Sequence, residues 1–211
     1  MQTVKVNNRP LYLYFLLQLL VVALIFLAIS VPEWFVYCWF QFGIGSARSV
    51  GIPGTDFEEH LYVLHYTMCN WMPHSVPEAY CPGFCDSIKR LEHASGALLF
   101  FLVYSAALGL VSGVLHLYLS RIRDFQCPSI RLLIASPALM MLTGFGVYCV
   151  IAEFQQFEEV KGSSDLCSDN QPSDFTPKWG LLLSVAMILL QLLTVLYGVV
   201  ETSKMFKVGK K

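Results

Sequence analysis

The sequence predicts an all-α membrane protein: a left-handed bundle of four transmembrane helices, capped by a small extracellular antiparallel β-sheet. Three observations carry this expectation: the composition, four long uncharged apolar runs, and one long loop rich in strand-forming residues. Of the 211 residues, 55% are hydrophobic and only 14% are charged, and the mean hydropathy is +0.57. A soluble domain has about a quarter of its residues charged, so this chain belongs in lipid.

The apolar runs are Leu11 to Val31, Ala94 to Leu119, Leu132 to Ala152 and Trp179 to Val200, and none contains Asp, Glu, Lys or Arg. Each is near or above the ~20 residues that a helix needs to cross a hydrocarbon core. The first run follows a short basic segment (Lys5, Arg9) and precedes "Ala28-Ile-Ser30", as a secretory signal would. At about twenty residues it exceeds the usual apolar core of a signal, so a retained first helix is expected.

Orientation follows from the basic residues. The segments 1–10, 120–131 and 201–211 hold nine of the fourteen Lys and Arg, and two of the fifteen Asp and Glu. These segments are expected to be cytosolic. The loops 32–93 and 153–178 hold five basic and thirteen acidic residues, which makes the outer face net negative. The chain therefore divides into a cytosolic N-terminus (1–10), a first span (11–31), a first extracellular loop (32–93) and a second span (94–119). A cytosolic loop (120–131), a third span (132–152), a second extracellular loop (153–178), a fourth span (179–200) and a basic tail (201–211) follow.

The first outer loop is long enough to fold. "WFVYCWFQF" (Trp34 to Phe42) and "HLYVLHYTMCNW" (His60 to Trp71) are aromatic and β-branched, and "GIGSARSVGIPGTD" separates them, so two strands joined by a loop are expected. A two-stranded hairpin alone is marginal in water. "EFQQFEEV", after the third run, either supplies a further strand or extends its helix.

Five of the seven cysteines, Cys38, Cys69, Cys81, Cys85 and Cys167, fall on the outer side. That side is oxidising, so bridges are expected there. The most economical bridge joins Cys69 to Cys85 or to Cys81 and contributes roughly 3 kcal/mol by restricting the unfolded loop. Cys38 and Cys167 remain for a second bridge or for burial, and spacing does not choose. A zinc site drawing on His60, His65, His74 and His93 is a weak alternative, because only one paired cysteine element is present. A redox reading of Cys81-Pro-Gly-Phe-Cys85 meets the objection that three residues separate the thiols and no second pair lies near a helix end. The expected protein holds neither metal nor cofactor, and its partners do not include nucleic acid. No nucleophile elbow, phosphate-binding glycine loop, HExxH or glycosylation sequon occurs, and no apolar run carries an acid or a Lys.

Within the second run, Ser105, Gly109 and Gly113 recur every four residues and permit close helix approach. Packing inside the bundle is preferred here over dimerisation. Pro137 in the third run, with Gly144 and Gly146 beyond it, predicts a kink, tolerated in lipid when neighbours satisfy the carbonyl that it frees. Gln18 and Gln191 are expected to bond to neighbouring helices. His116 is expected as a satisfied interfacial side chain, and Trp179 and Tyr197 as interface anchors. Cys127, beside basic residues, is a candidate for palmitoylation. The tail "KMFKVGKK" is expected near anionic headgroups.

Four features now stand together: internal termini, a long first outer loop with strands and a cysteine pair, a shorter second outer loop, and a short cytosolic hairpin. In this the chain resembles the claudin and peripheral-myelin-protein superfamily, which includes auxiliary subunits of calcium channels and glutamate receptors. Trp34, just after the first helix, resembles the family's first-strand tryptophan. Cys69 with Cys85 or Cys81 resembles its loop disulfide, and "CDSIKRLEHASGALLF" resembles the segment leading into the second helix. The family's Gly-Leu-Trp-x-x-Cys element is replaced by "HYTMC", and Trp71 follows Cys69. The resemblance implies a non-enzymatic plasma-membrane protein that acts through other integral membrane proteins or copies of itself. Because the adhesive loop element is missing, an accessory subunit of a channel or receptor complex is expected ahead of a junction protein. In a junction protein, outer-loop aromatics such as Phe40 would mediate clustering. A membrane thiol-disulfide oxidoreductase is the third reading.

Overall fold

The structure, a computed structural model, describes residues 9–31, 34–37, 40–44, 46–49, 58–60, 84–119, 129–152, 176–177 and 179–208. Four helices dominate: α1 (Arg9–Ser30), α2 (Phe84–Leu119), α3 (Ser129–Ala152) and α4 (Trp179–Val208). Each contains a stretch long and apolar enough to cross a membrane, namely Pro10–Ser30, Lys89–Tyr118, Ile130–Val150 and Leu182–Ser203. By length and composition this is an integral membrane protein.

Two helices outrun the apolar stretches that announce them. α2 starts at Phe84, just after Pro82-Gly83, and takes in "CDSIKRLEH" before the apolar run begins. α4 continues through "ETSKMFKV". Hydropathy marks where a helix meets lipid, whereas helix formation needs only favourable backbone propensity, which Lys, Arg, Leu and Glu supply.

Among the described residues five short strands form one antiparallel sheet: β1 (Phe35–Tyr37), β2 (Phe40–Phe42), β3 (Ser46–Ser49), β4 (Glu58–His60) and β5 (Thr176–Pro177), in the order β4-β3-β2-β1-β5. The segment 34–42, read from sequence as one strand, instead holds two that pair with each other, Phe35 opposite Phe42 and Tyr37 opposite Phe40. Strand propensity registers a pleated, half-buried surface and does not reveal a reversal within it. The separating segment, read as loop, contributes β3, with Arg48 opposite both Gln41 and Glu58. β5 is an edge strand, the position at which a proline costs the ladder no hydrogen bond. "EFQQFEEV" and residues 61–71 lie outside the described residues.

The buried positions of each helix follow one rule. On α1 they include Leu11, Tyr14, Gln18, Val21, Ile25 and Ala28, separated alternately by three and four residues. The same alternation runs through 91, 95, 98, 102, 105, 109, 112 and 116 on α2, through 130, 134, 137, 141, 144 and 148 on α3, and through 180, 184, 187, 191, 194 and 198 on α4. A 3.5-residue repeat is the signature of knobs-into-holes packing with a left-handed supercoil. The opposite faces carry Leu16, Phe26, Leu132, Val150 and Leu193, all exposed. The helices are thus largely apolar outward and hold Gln18, Ser105, Ser112, Ser184, Gln191 and Thr194 inward, where other helices can satisfy them.

The chain divides into two compact units: Met1–Phe26, Leu102–Leu142 and Ala186–Lys211 form the first, and Leu27–Phe101 with Thr143–Val185 the second. In the first, Tyr14, Ile130 and Ile134 form a core cluster against which Val195, Tyr197 and Val199 pack. In the second, Trp34 is the largest buried side chain among the described residues.

Candidate functional site

The first unit contains a polar seam. The Tyr14 hydroxyl lies 3.0 Å from Ser112 Oγ on α2, and Gln18 Nε2, one turn along α1, donates to the same hydroxyl at 3.1 Å. Ser112 also reaches the Gly109 carbonyl at 3.0 Å. The His116 ring stands edge-on to Tyr14 with centroids 5.1 Å apart. Tyr14, Gln18, Ser112 and His116 are all buried. His116, expected at the interface with its nitrogens satisfied, instead faces inward, and its Nε2 has no hydrogen-bond partner among the described residues. It occupies the same repeat as Ser112 and Gly109, and that repeat turns it inward whatever its polarity.

The small residues of α2 serve this seam. A Cβ at Gly109 would stand 2.9 Å from Gln18 Oε1, and one at Gly113 would stand 2.8 Å from Phe15 Cδ2. Both glycines therefore admit α1 side chains. Ser105 Oγ donates to the Pro137 carbonyl of α3 at 2.7 Å. Pro137 itself lacks an N–H, which frees the Leu133 carbonyl, and Ser136 Oγ donates to that oxygen at 2.9 Å. The break in the helix ladder is thus mended by the preceding residue.

α4 treats its hydroxyls differently. Ser184, Thr194, Thr202 and Ser203 each donate to the carbonyl four residues earlier, at 2.6 to 2.8 Å. Such back-bonding satisfies the hydroxyl within its own helix. Gln191, expected to bond to a neighbouring helix, has no partner for either carboxamide atom among the described residues.

In the second unit the tryptophan after α1 is locked from several sides. Trp34 Nε1 donates to the Ala28 carbonyl at 2.9 Å. The indole stacks on Phe145 at 6.3 Å, with an interplanar angle of 11°, and meets Tyr148 edge-on at 6.5 Å. Gly180 lies so close that any Cβ there would overlap the indole, within 2.7 Å of Cγ and Nε1. The next residue begins β1, so this lock joins the end of α1 to the sheet.

Of the residues singled out from sequence, Ser105, Gly109, Gly113 and Trp34 are placed inside the helix packing. Phe40 lies in β2, and Cys85 in the first turn of α2. Cys38, Cys69, Cys81, Cys127, Cys167 and Trp71 lie outside the described residues. Cys149, which sequence reasoning passed over, is a free and exposed thiol on α3. Sequence reasoning also missed Tyr14 and Ser112 as partners. Their signal was a polar atom on the 3.5-residue repeat, visible only once the repeat is known. No family model matches the chain, and no curated protein matches it.

Removing only the hydroxyl in Tyr14→Phe is expected to cost about 0.5–2 kcal/mol, the range for hydrogen bonds between membrane helices. Unfolding by steric trapping in bicelles measures it, and no change would show that the seam's bonds contribute nothing net.

Proposed function

We propose that this chain is a divergent claudin-like, four-span membrane protein without enzymatic activity, acting as an accessory subunit of a larger channel or receptor complex. Its termini lie in the cytosol, and its sheet and outer cysteines face the extracellular side of the plasma membrane. The observation that carries the reading is the Trp34 lock. A tryptophan immediately after the first helix, bonded to Ala28, stacked on Phe145 and seated over Gly180, roots a sheet whose fifth strand comes from just before α4. That arrangement fits a protein built to hold a stapled outer face rigidly above its helices.

The interior of the helices is committed to their own packing: the glycines receive α1 side chains, and Ser105 serves Pro137. What is left for partners is the outward surface, including Val150, Leu182 and Leu189. Photo-crosslinkers placed singly at Val150 and Leu189 in native membranes test the role. One recurrent, larger membrane polypeptide captured from at least one position is expected. Lipid adducts alone from both would defeat the accessory reading.

A further inference from the structure

Gln191 is 1% exposed, and neither Nε2 nor Oε1 has a partner among the described residues. Gln18 is equally buried, and its Oε1 is unpaired as well. In a helix surrounded by lipid, a carboxamide left in this state is costly enough that something must bond to it.

The contacts of the first unit give the level of Gln191 along its neighbouring helices. Tyr14 marks a common level on three helices, since it bonds to Ser112 on α2 and touches the position of Gly198 on α4. Two turns from that level, about 10.5 Å at 1.5 Å per residue, α4 presents Gln191, α2 presents Ser105 and α1 presents Val21. The Ser105 bond to Pro137 brings α3 to the same level, with Ala138 beside it. Ala106 and Ala138, next in sequence to Ser105 and Pro137, are both buried short side chains. Gln18 lies one turn beyond Tyr14 in the same sense, about 4–5 Å short of the Gln191 level by the same rise.

We propose that this layer binds a buried water molecule. Gln191 Nε2 donates to it, and the water in turn donates to Gln18 Oε1 and to either Gln191 Oε1 or the free lone pair of Ser105 Oγ. Two to four polar partners is the usual complement of a buried water. Among the described residues no charged side chain belongs to the layer, and water is the small molecule that can both accept from and donate to its carboxamides. The inference stands apart from the proposed accessory role.

Water-edited solid-state NMR on the full chain in lipid bilayers, with side-chain 15N-glutamine and indole 15N-tryptophan labelling, tests it directly. Magnetisation from water is expected at the Gln191 and Gln18 carboxamides. Gln191→Met, which keeps the length and removes the polarity, is expected to abolish transfer to Gln18 while the hydrogen-bonded Trp34 indole signal stays in place. Absence of transfer at Gln191 in the unaltered protein would overturn the proposal. So would a direct coupling between the two carboxamides, or transfer to Gln18 that persists in the folded Gln191→Met variant.

Discussion

Trp34→Ala is expected to destabilise the protein by roughly 3–5 kcal/mol, the range for truncating a buried large aromatic. The indole is 1% exposed, and its removal takes away three things together: the bond to the Ala28 carbonyl, the stack on Phe145 and the cover over Gly180. Trp34→Phe retains a ring and should lose only about 1–2 kcal/mol, chiefly the hydrogen bond and some packing. Gly180→Ala is expected to be costly by itself, because its new methyl group would overlap the indole. In the background of Trp34→Ala the same methyl has room, so the two changes should be strongly non-additive. A double-mutant cycle read by steric trapping measures the coupling. Additive effects would mean that Trp34 and Gly180 do not touch.

Gly198→Val is the second large effect, expected at roughly 1–3 kcal/mol or somewhat more through overpacking. A Cβ at Gly198 would stand 2.7 Å from Tyr14 Cε2, 2.9 Å from Cδ2 and 3.0 Å from Ile134 Cγ2. Neither neighbour can easily move: Tyr14 is held by Ser112 and Gln18, and Ile134 is fully buried. A valine there pushes the tyrosine away from Ser112, so the polar seam is lost along with the packing. Gly146 is the internal control. Nothing lies within 4 Å of its Cβ position and it is exposed, so Gly146→Ala should stabilise by about 0.5–1 kcal/mol through helix propensity alone. Opposite signs at two glycines of membrane helices are the sharp expectation, and equal signs would contradict the packing described.

The spans were legible because hydrocarbon imposes length and apolarity on any helix that crosses it, and all four apolar runs became helices. Their packing faces were not. In a soluble helix the apolar stripe marks the interior, but here Leu16 and Leu11 are equally apolar while one faces outward and the other inward. The useful mark was the reverse: Gln18, Ser105, Ser112, Ser184, Gln191 and Thr194 all point inward. Ser105, Gly109 and Gly113 were found because small residues at four-residue spacing are a packing signal in their own right. The Tyr14–His116 pair was not legible, because it depends on which faces of α1 and α2 meet. The strands were legible as composition but not as boundaries, since an aromatic run does not show where it turns back on itself. Arg48 and its neighbours carry no strand signature and join the sheet through pairing with β2 and β4.

The proposed accessory role requires that this chain work as part of a larger membrane assembly. The most direct measurement is the mass of the particle isolated from its native membrane in mild detergent under thiol-blocking conditions, with the cysteine map recorded on the same sample. The account predicts an assembly well above the 23.8 kDa of the chain, containing a second membrane protein in fixed stoichiometry and Cys69 bridged to Cys85 or Cys81. A lone chain with Cys81 and Cys85 distributed between reduced and oxidised forms would contradict it, and would point instead to thiol-disulfide chemistry.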